Sequence, residues 1–232
     1  MDRRACALEP HLQECQPHQV TALFSTAYLA PVQYYARLLA IGEAGGVAYE
    51  ERHENFLKQT YRNRMVIAAA SGPLTLSIPV AHTGGKVPIC EVEVSTHGNW
   101  THLHWQAIVS AYRQTPFFDY YADDIRPFFE HPPRFLVELN EGLRLTVCRL
   151  LGITTPLHPT QSFHERVPED VEDCRTLISP RCPLSDDKRF QPAPYYQVFS
   201  SRHGFLPGLS ICDLLFNMGP ESRIVLRRSL QN

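Results

Sequence analysis

The spacing of apolar residues changes near residue 100, and this change limits the folds open to the chain. Before it, two apolar, β-rich runs at 65–69 and 74–80 flank the turn sequence Ser71-Gly72-Pro73, a pattern that predicts a β-hairpin. After it, apolar and aromatic residues at 105–112 recur with the i, i+3, i+4, i+7 spacing of an amphipathic helix. A chain with both periods is expected to combine a sheet with covering helices.

These patterns predict one mixed α+β domain, in which a small β-sheet, including a hairpin at about 65–80, is covered by several helices. We expect strands at 20–24, 65–69, 74–80, 89–94 and 195–199, and helices at 34–41, 103–113, 119–129 and 133–151. Gly152 and Ser210 are expected to cap helices. The segment 153–194 holds seven of the 19 prolines, which predicts a long excursion with short ordered pieces.

Composition and charge exclude several classes of function. The formal net charge is −2, from 22 basic and 24 acidic residues, and provides no broad field for holding nucleic acid. Residues 1–19 carry charges and prolines instead of an apolar signal segment, and we expect them to be flexible. The seven cysteines include no Cys-x-x-Cys pair, so free thiols are expected. The sequence therefore predicts a cytoplasmic protein with no nucleic-acid partner and no membrane span.

A basic segment at 58–64 is the first candidate for a binding site. If this segment is extended, residues two apart share a face, so Lys58, Thr60, Arg62 and Arg64 would lie side by side. Three cations and a hydroxyl on one face suit a phosphate, a diphosphate or a carboxylate. The alternative is a solvated edge strand that uses positive charge to prevent aggregation.

Four sequence blocks between residues 28 and 153 carry a family resemblance. They are Tyr28-Leu-Ala-Pro-Val-Gln-Tyr-Tyr35; Lys58-Gln-Thr-Tyr-Arg-Asn63-Arg64 with the later Leu76-Ser-Ile-Pro79-Val80; Trp100-Thr-His-Leu-His104-Trp-Gln-Ala-Ile108 with Pro116-Phe117-Phe118; and Leu150-Leu-Gly-Ile153. In this order they resemble the WbqC-like protein family. The chain departs from the common family pattern at Ala30-Pro31, where Pro-Trp is usual, and at His53 and Asn55, where Asp and Gln are usual.

The resemblance implies a role in handling amino sugars or nucleotide sugars for a surface polysaccharide of the O-antigen type. It implies a single WbqC-like domain over 20–232. Together with the basic segment, it indicates as substrate-binding residues Lys58, Arg62, Asn63, Arg64 and Tyr112. The expected ligand is small and anionic, such as a sugar phosphate.

Two histidines are candidate catalytic residues. His104 lies inside a family-like block at the start of an amphipathic helix, and His53 precedes the basic segment. An imidazole that titrates near neutral pH can act as general base in acyl or glycosyl transfer; the alternative is a histidine that packs or caps. We expect no metal, because the helical spacing points His97, His102 and His104 in different directions. The chain also lacks dinucleotide and P-loop glycine motifs, so no cofactor is expected.

The sequence leaves two classes of function open. In the first, the chain is a transferase-like enzyme that holds an anionic sugar substrate with the basic segment while His104 or His53 handles a proton. In the second, it is a non-catalytic binding or scaffold protein. Its basic segment would then contact an acidic surface, and the aromatic region at 117–121 would form an interface, with a homo-oligomer as one form of such a contact.

Overall fold

The computed structural model describes residues 21–81 and 85–231, and these residues form both strands and helices. The strands are β1 (Thr21–Ser25), β2 (Val47–Glu51), β3 (Arg64–Ala69), β4 (Gly72–Ser77), β5 (Leu157–Pro159) and β6 (Val171–Asp173). The helices are α1 (Val32–Glu43), α2 (Trp100–Tyr112), α3 (Phe118–Ile125), α4 (Pro127–Glu130), α5 (Leu136–Leu151), α6 (Cys174–Leu177), α7 (Ser200–His203), α8 (Ile211–Met218) and α9 (Ser222–Arg228). The predicted α+β class is confirmed, whereas the flexible segment expected at 1–19 lies outside the described residues.

Within the described residues, four strands form one parallel sheet in the order β5–β2–β1–β6. β1 lies inside this sheet, with Thr21 opposite Val47 of β2 and Val171 of β6. Nearly every residue of β1 is buried, as expected for a parallel strand whose two faces are covered. Helix α1 makes the crossover from β1 to β2, and its Tyr35 and Leu38 are fully buried in the core.

Strands β3 and β4 form the predicted hairpin as a separate antiparallel pair. Arg64 lies opposite Ser77 at its open end, and Ala69 lies opposite Gly72 at the turn. Gly72 has a φ of 114°, a conformation that residues with a side chain rarely adopt. The glycine of the turn sequence is therefore required by the backbone, as the sequence indicated.

The helices from α2 to α5 supply the apolar cover. The ring of Trp105 in α2 lies 6.2 Å from that of Phe118 and 5.7 Å from that of Phe129, measured between centroids. The helix expected at 119–129 is divided into α3 and α4, because Pro127 begins a new helix. Helix α5 ends at Gly152, whose φ of 64° makes the predicted left-handed cap.

The strand expected at 89–94 is wrong. Residues Ile89–Glu91 form a short 3₁₀ helix, and the rest of the segment makes only isolated bridges, such as that of Val94 with Val80. The apolar residues Ile89 and Val92 are both fully buried, and their spacing of three places them on one side of a 3₁₀ turn. The alternation of polar and apolar residues indicated a strand, but the i, i+3 pair determines the local structure.

The strand expected at 195–199 is also wrong, because side chains of α8 replace a neighbouring strand as hydrogen-bond partners. Val198 N–H donates to Asn217 Oδ1 at 3.2 Å, and the Tyr195 hydroxyl donates to Asp213 Oδ2 at 2.7 Å. Gln197 Nε2 donates to the same carboxylate oxygen at 2.9 Å. Ser210 caps α8 as predicted, accepting from Cys212 N–H at 3.3 Å.

Asp213 is a fully buried carboxyl group at the start of α8. Burial raises the pKa of Asp213 to about 6, although hydrogen bonds from Tyr195 and Gln197 favour the charged form. In the folded chain the group therefore binds a proton at a pH where the unfolded chain has already released it. Linkage then requires the folded state to lose stability as the pH rises from about 4 to about 6.

Replacing Asp213 by Asn tests this linkage. The amide does not titrate, so the variant should gain stability relative to the wild type as the pH rises from about 4 to about 6. The gain should reach about 3 kcal/mol, the linkage value for a pKa raised from 3.8 to about 6. Urea unfolding of both proteins at several pH values measures the difference, and a constant difference across this range would contradict the prediction.

Candidate functional site

The order of the parallel strands defines a crevice at one edge of the sheet. The chain runs from β1 through α1 to β2 on one side and later returns to place β6 on the other side of β1. The connection from β1 thus leads to one side of the sheet, whereas β6 is added on the other side. The direction in which strands are added therefore reverses between β1 and β6. At such a point of an open parallel sheet, the crevice beyond the carboxyl ends of the strands is where ligands bind.

A cavity of about 630 Å³ lies at this edge. Its walls come from the segment that follows β2, from the loop before β6 and from the segment that follows β6. Its lining residues are Glu54, Asn55, Leu57, Thr60, Arg62, Phe163, Arg175, Thr176, Ser179, Arg181, Cys182, Pro183 and Asp186. Its volume lies within the range of roughly 300–1,000 Å³ that small-molecule sites occupy.

Arg62 lies in the wall that follows β2 and is 5% exposed. Its Nε and Nη2 donate to the two carboxylate oxygens of Glu54 at 2.8 and 2.5 Å. Nη2 also donates to Ser25 Oγ at 2.8 Å, at the carboxyl end of β1. Asn140 of α5 donates to the backbone carbonyl of Arg62 at 2.8 Å. Arg62 is thus held at its guanidinium by the sheet and by the ion pair, and at its backbone by a helix.

Arg175 lies in the opposite wall, directly after β6. Its Nε and Nη2 donate to the carboxylate of Asp173 at 2.9 and 2.8 Å, and its Nη1 donates to the backbone carbonyl of His164 at 2.7 Å. Burial disfavours the charge on Arg175, but hydrogen bonds with Asp173 and the charges of Glu51 and Glu54 outweigh burial and raise the pKa of the guanidinium. Arg175 is therefore a permanent cation of the cavity.

Glu51 fixes the carboxyl end of β2 below the cavity. Its carboxylate is fully buried and accepts from His53 N–H at 2.8 Å, from the Thr160 hydroxyl at 3.0 Å and from His164 N–H at 3.0 Å. Arg175 Nη1 lies 3.7 Å from the same carboxylate. Because a buried carboxylate needs partners for both oxygens, these contacts hold Glu51 in place.

The wall that follows β6 is attached to helix α1 by a buried arginine. Arg37 forms ion pairs with Glu172 and with Asp187, the latter at 3.7 Å. Gln33 of the same helix donates to Asp187 at 2.9 Å. These contacts bracket residues 175–186 on both sides, so the loop that closes the cavity has fixed ends.

The mouth of the cavity combines apolar surface with free charge. Leu57 and Phe163 are 54% and 51% exposed, so both apolar side chains are accessible to a ligand. Arg181 is exposed and has no ion pair with any residue of 21–81 or 85–231. The cavity therefore offers cations together with an aromatic ring face, an arrangement that suits an anionic ligand with a ring.

The extended conformation considered for the basic segment at 58–64 is not found. The backbone there forms consecutive turns, and Gln59 has a φ of 62°. Lys58 is exposed, and Thr60 is buried, with its hydroxyl donating to the Leu57 carbonyl at 2.8 Å. Because turns rotate successive side chains out of line, the three cations do not share a face.

The structure separates the binding residues that the sequence indicated. Arg62 lines the cavity, whereas Lys58, Asn63 and Arg64 are absent from its lining. Asn63 Nδ2 donates to the Ile78 carbonyl at 2.8 Å, and Arg64 Nε donates to the Ser77 hydroxyl at 3.1 Å, so both support the hairpin. Tyr112 is fully buried in the core, and its hydroxyl accepts from Ala68 N–H at 3.1 Å.

His104 lies against the hairpin and is absent from the cavity lining. Burial lowers the pKa of His104 to about 4, with a hydrogen bond to the Ser77 backbone opposing this shift. Burial also raises the pKa of Tyr28, and its hydroxyl lies within hydrogen-bond distance of His104 Nδ1, at 3.0 Å. The imidazole is therefore engaged by Tyr28 and by the Ser77 backbone, and the packing alternative describes this histidine better.

His53 is nearer the site but points elsewhere. Its backbone N–H contacts Glu51, and its ring Nδ1 lies 3.9 Å from Cys90 Sγ. Glu54 and Asn55, the next residues, line the cavity, whereas His53 is not part of the lining. Among the residues that the structure describes, no group of three or more His, Cys, Asp or Glu side chains is arranged to hold a metal ion.

Sequence patterns did not indicate Glu54, Phe163, Arg175 and Arg181. Phe163, Arg175 and Arg181 lie in the proline-rich excursion at 153–194, where no regular period exists, and Glu54 precedes the basic segment. One signal was available: Glu50 and Glu51 directly follow the apolar residues 47–49, and charges at the end of a strand often mark a site.

The model of the WbqC-like protein family matches residues 28–178. The chain belongs to the WbqC-like protein family. The matched region runs from the end of the loop after β1 through α6, and it includes Glu54, Arg62 and Arg175. Arg181 and the rest of the closing loop lie beyond it.

A curated relative and a search of solved structures complete the comparison. The chain is 26% identical over 193 residues to the Uncharacterized protein Rv1507c of Mycobacterium tuberculosis, covering 74% of this chain and 84% of that protein. No solved structure matches the chain significantly. In the described part of this family member, no helix is long and apolar enough to cross a membrane.

Replacing His104 by Gln tests its structural role. Gln can keep the hydrogen bonds to Tyr28 and Ser77 but does not titrate. In the folded state the pKa of His104 is about 4, whereas the unfolded histidine titrates near 6.5. Wild-type stability should therefore fall as the pH drops through this range. Relative to the wild type, the variant should gain about 3 kcal/mol between about pH 6.5 and pH 4. Urea unfolding at several pH values measures this, and identical pH profiles for the two proteins would contradict it.

Proposed function

We propose that this WbqC-like protein is a transferase that binds an amino sugar or nucleotide sugar through its phosphate groups, in the synthesis of a surface polysaccharide. The observation that carries the proposal is the position of Arg62 and Arg175 on opposite walls of one cavity, beyond the carboxyl ends of parallel strands. The resemblance of the sequence blocks to the family supports the same substrate class.

The cations of the cavity suit phosphate. Arg62 Nη1 makes no hydrogen bond to any described residue, so its donors remain for a ligand. Arg181 adds a guanidinium that no described carboxylate neutralises. Guanidinium groups bind phosphate through paired, charge-assisted hydrogen bonds, which are roughly twice as strong as neutral ones. A ligand with a phosphate or diphosphate can therefore use donors on both sides of the cavity.

The remaining lining residues suit a sugar. The exposed ring of Phe163 and the side chain of Leu57 can cover the apolar face of a pyranose or a base. Hydroxyls of Thr176 and Ser179 line the same cavity and can both donate to and accept from sugar hydroxyls. The volume of about 630 Å³ leaves room for a nucleotide sugar beyond a single sugar phosphate.

A second candidate is a binding protein without catalysis. One observation favours it: none of the described residues that line the cavity is a histidine, and the Glu54 carboxylate is already paired with Arg62. Turnover separates the two functions. A binding protein retains intact nucleotide sugar after prolonged incubation with the sugar and amine acceptors offered, whereas a transferase releases the nucleotide.

Replacing Arg181 by Ala tests the anion site without disturbing the fold, because this side chain is exposed and has no ion pair among the described residues. We expect the variant to bind UDP-N-acetylglucosamine about tenfold more weakly, as the loss of one charge-assisted contact predicts. Isothermal titration calorimetry measures the affinity. Arg113→Ala is the matched control, since Arg113 is exposed directly after α2 and does not line the cavity.

If Arg181→Ala binds the probe as tightly as Arg113→Ala and the wild type do, Arg181 does not contact the ligand. If the wild type binds neither UDP-, GDP- nor dTDP-linked sugars, the proposed substrate class is wrong.

Replacing Phe163 by Ala tests the ring platform. We expect the affinity for UDP-N-acetylglucosamine to fall about threefold to tenfold, in keeping with roughly 0.5–1.5 kcal/mol for a ring contact. Inorganic pyrophosphate, which has no ring, should bind the variant and the wild type equally. Tyr120→Ala is the control, because Tyr120 is also an exposed aromatic residue but lies in α3, outside the cavity. A parallel loss of pyrophosphate binding would indicate damage to the cavity instead.

A further inference from the structure

The ion pair between Glu54 and Arg62 differs from the other ion pairs around the cavity. Glu51 is held by three hydrogen bonds besides Arg175, and Asp173 accepts three hydrogen bonds from Arg175. The hydrogen bonds that the Glu54 carboxylate accepts from described residues all come from Arg62. Glu54 can therefore leave its partner without breaking any other side-chain contact among these residues.

Arg62 is not held by Glu54 alone. Ser25 Oγ accepts from its Nη2 at 2.8 Å, and the Asn140 side chain donates to its backbone carbonyl at 2.8 Å. These two contacts come from β1 and α5 and do not involve the cavity. If the Glu54 carboxylate moves away, the guanidinium keeps its position and presents the freed Nε edge to the cavity.

We infer that an anionic ligand exchanges with Glu54 on Arg62, and that the displaced Glu54 carboxylate then accepts a proton. The inference rests on the proposed function, because it assigns a role to a residue of the same cavity. A phosphate and the Glu54 carboxylate compete for one guanidinium, and the phosphate can add donors from Arg175 and Arg181 that Glu54 does not use. Glu54 then lies beside a negative ligand without its cation, and like charges at short distance favour the protonated carboxyl.

The exchange gives the cavity a proton acceptor that is available only when ligand is bound. In the free protein the Glu54 carboxylate is engaged by Arg62 in a bidentate pair. In the complex it has lost Arg62: while it is ionised it can take a proton from a hydroxyl or amine beside the ligand, and once protonated it can return that proton as an acid. Glu54 thus fills the role that the sequence assigned to His104 or His53.

Several charged groups lie near Glu54, and an experiment must distinguish proton uptake by Glu54 from proton uptake by these groups. Arg62 lies on the same segment, Arg175 and Arg181 lie on the opposite wall, and Asp186 is the other carboxylate among the described lining residues. His53 and Glu51 precede Glu54 at the end of β2, and His164 contacts Glu51. All of these remain in a Glu54→Gln variant, so the difference between that variant and the wild type isolates Glu54.

The test measures proton uptake when UDP-N-acetylglucosamine binds. Both phosphates of this probe are esterified, so its charge is constant between about pH 4 and pH 8, and any proton taken up belongs to the protein. Calorimetric titration near pH 5 in buffers of different ionisation enthalpy gives the number of protons bound. We expect uptake of a substantial fraction of one proton by the wild type, and an affinity that rises several-fold from pH 7 to pH 5.

Two variants complete the test. Glu54→Gln should remove most of the proton uptake and bind the probe more tightly near pH 7, because a neutral amide competes weakly for Arg62. Asp186→Asn should retain the proton uptake of the wild type. Because Glu54→Gln leaves a buried guanidinium without its ion pair, its fold is checked by circular dichroism. If it does not fold, binding by the wild type without proton uptake, or loss of the uptake in Asp186→Asn, still overturns the exchange.

The possible outcomes distinguish failure of the exchange at Glu54 from failure of the proposed function. Binding by the wild type without proton uptake, or equal uptake by folded Glu54→Gln, overturns the exchange but leaves the sugar-phosphate site. Loss of uptake in Asp186→Asn with retention in Glu54→Gln assigns the proton to Asp186 and also overturns the exchange. No binding of the probe or of other nucleotide sugars by the wild type overturns the proposed function, and the exchange falls with it.

Discussion

Parallel pairing of β1 with both β2 and β6 is the constraint on which the rest of the molecule depends. Parallel strands cannot be joined by a tight turn, so α1 must cross over from β1 to β2, and a long path through the hairpin and the helices must precede β6. Because all these strands run in one direction, Ser25, Glu51 and Asp173 end at the same edge. The polar groups that follow the strands are therefore brought together there, although up to 148 residues separate Ser25 from Asp173 in the chain.

The buried charges at this edge follow from the same constraint. A strand that is covered on both faces can carry polar side chains only at its ends, and there each one needs a partner because water is excluded. Glu50 faces the helices and contacts Arg52, whereas Glu51 faces the loops and contacts His164 and Arg175. Burial raises the pKa of Glu50, which shows how far this edge is shielded from solvent. The cavity is thus a polar site on an otherwise apolar framework.

Sequence patterns predicted those elements in which the spacing of apolar side chains matches the period of the local backbone. The strand at 20–24, the hairpin at its glycine turn, and the helix that ends at Gly152 all have strong local signals, and each was found. β2 was not predicted because Tyr49, Glu50 and Glu51 make it polar, and β5 and β6 are too short, at three residues each, to show a period. These are the strands that create the site. The binding residues were predicted from the family resemblance together with the basic segment. Of the segment 58–64, the turns leave only Arg62 and Thr60 in the described lining of the cavity.

Asp213 and His104 are two buried groups that titrate, and together they change the pH dependence of stability in a way that neither does alone. Asp213 binds its proton more tightly in the folded chain than in the unfolded chain, and His104 binds its proton less tightly. Both differences fall between about pH 4 and pH 6, so folding takes up a proton at one site and releases one at the other. Their contributions to the pH dependence of stability therefore cancel over this range. A protein built in this way can experience an acid shift of two pH units without a net change in stability from these two core groups, although each of them is individually sensitive to pH.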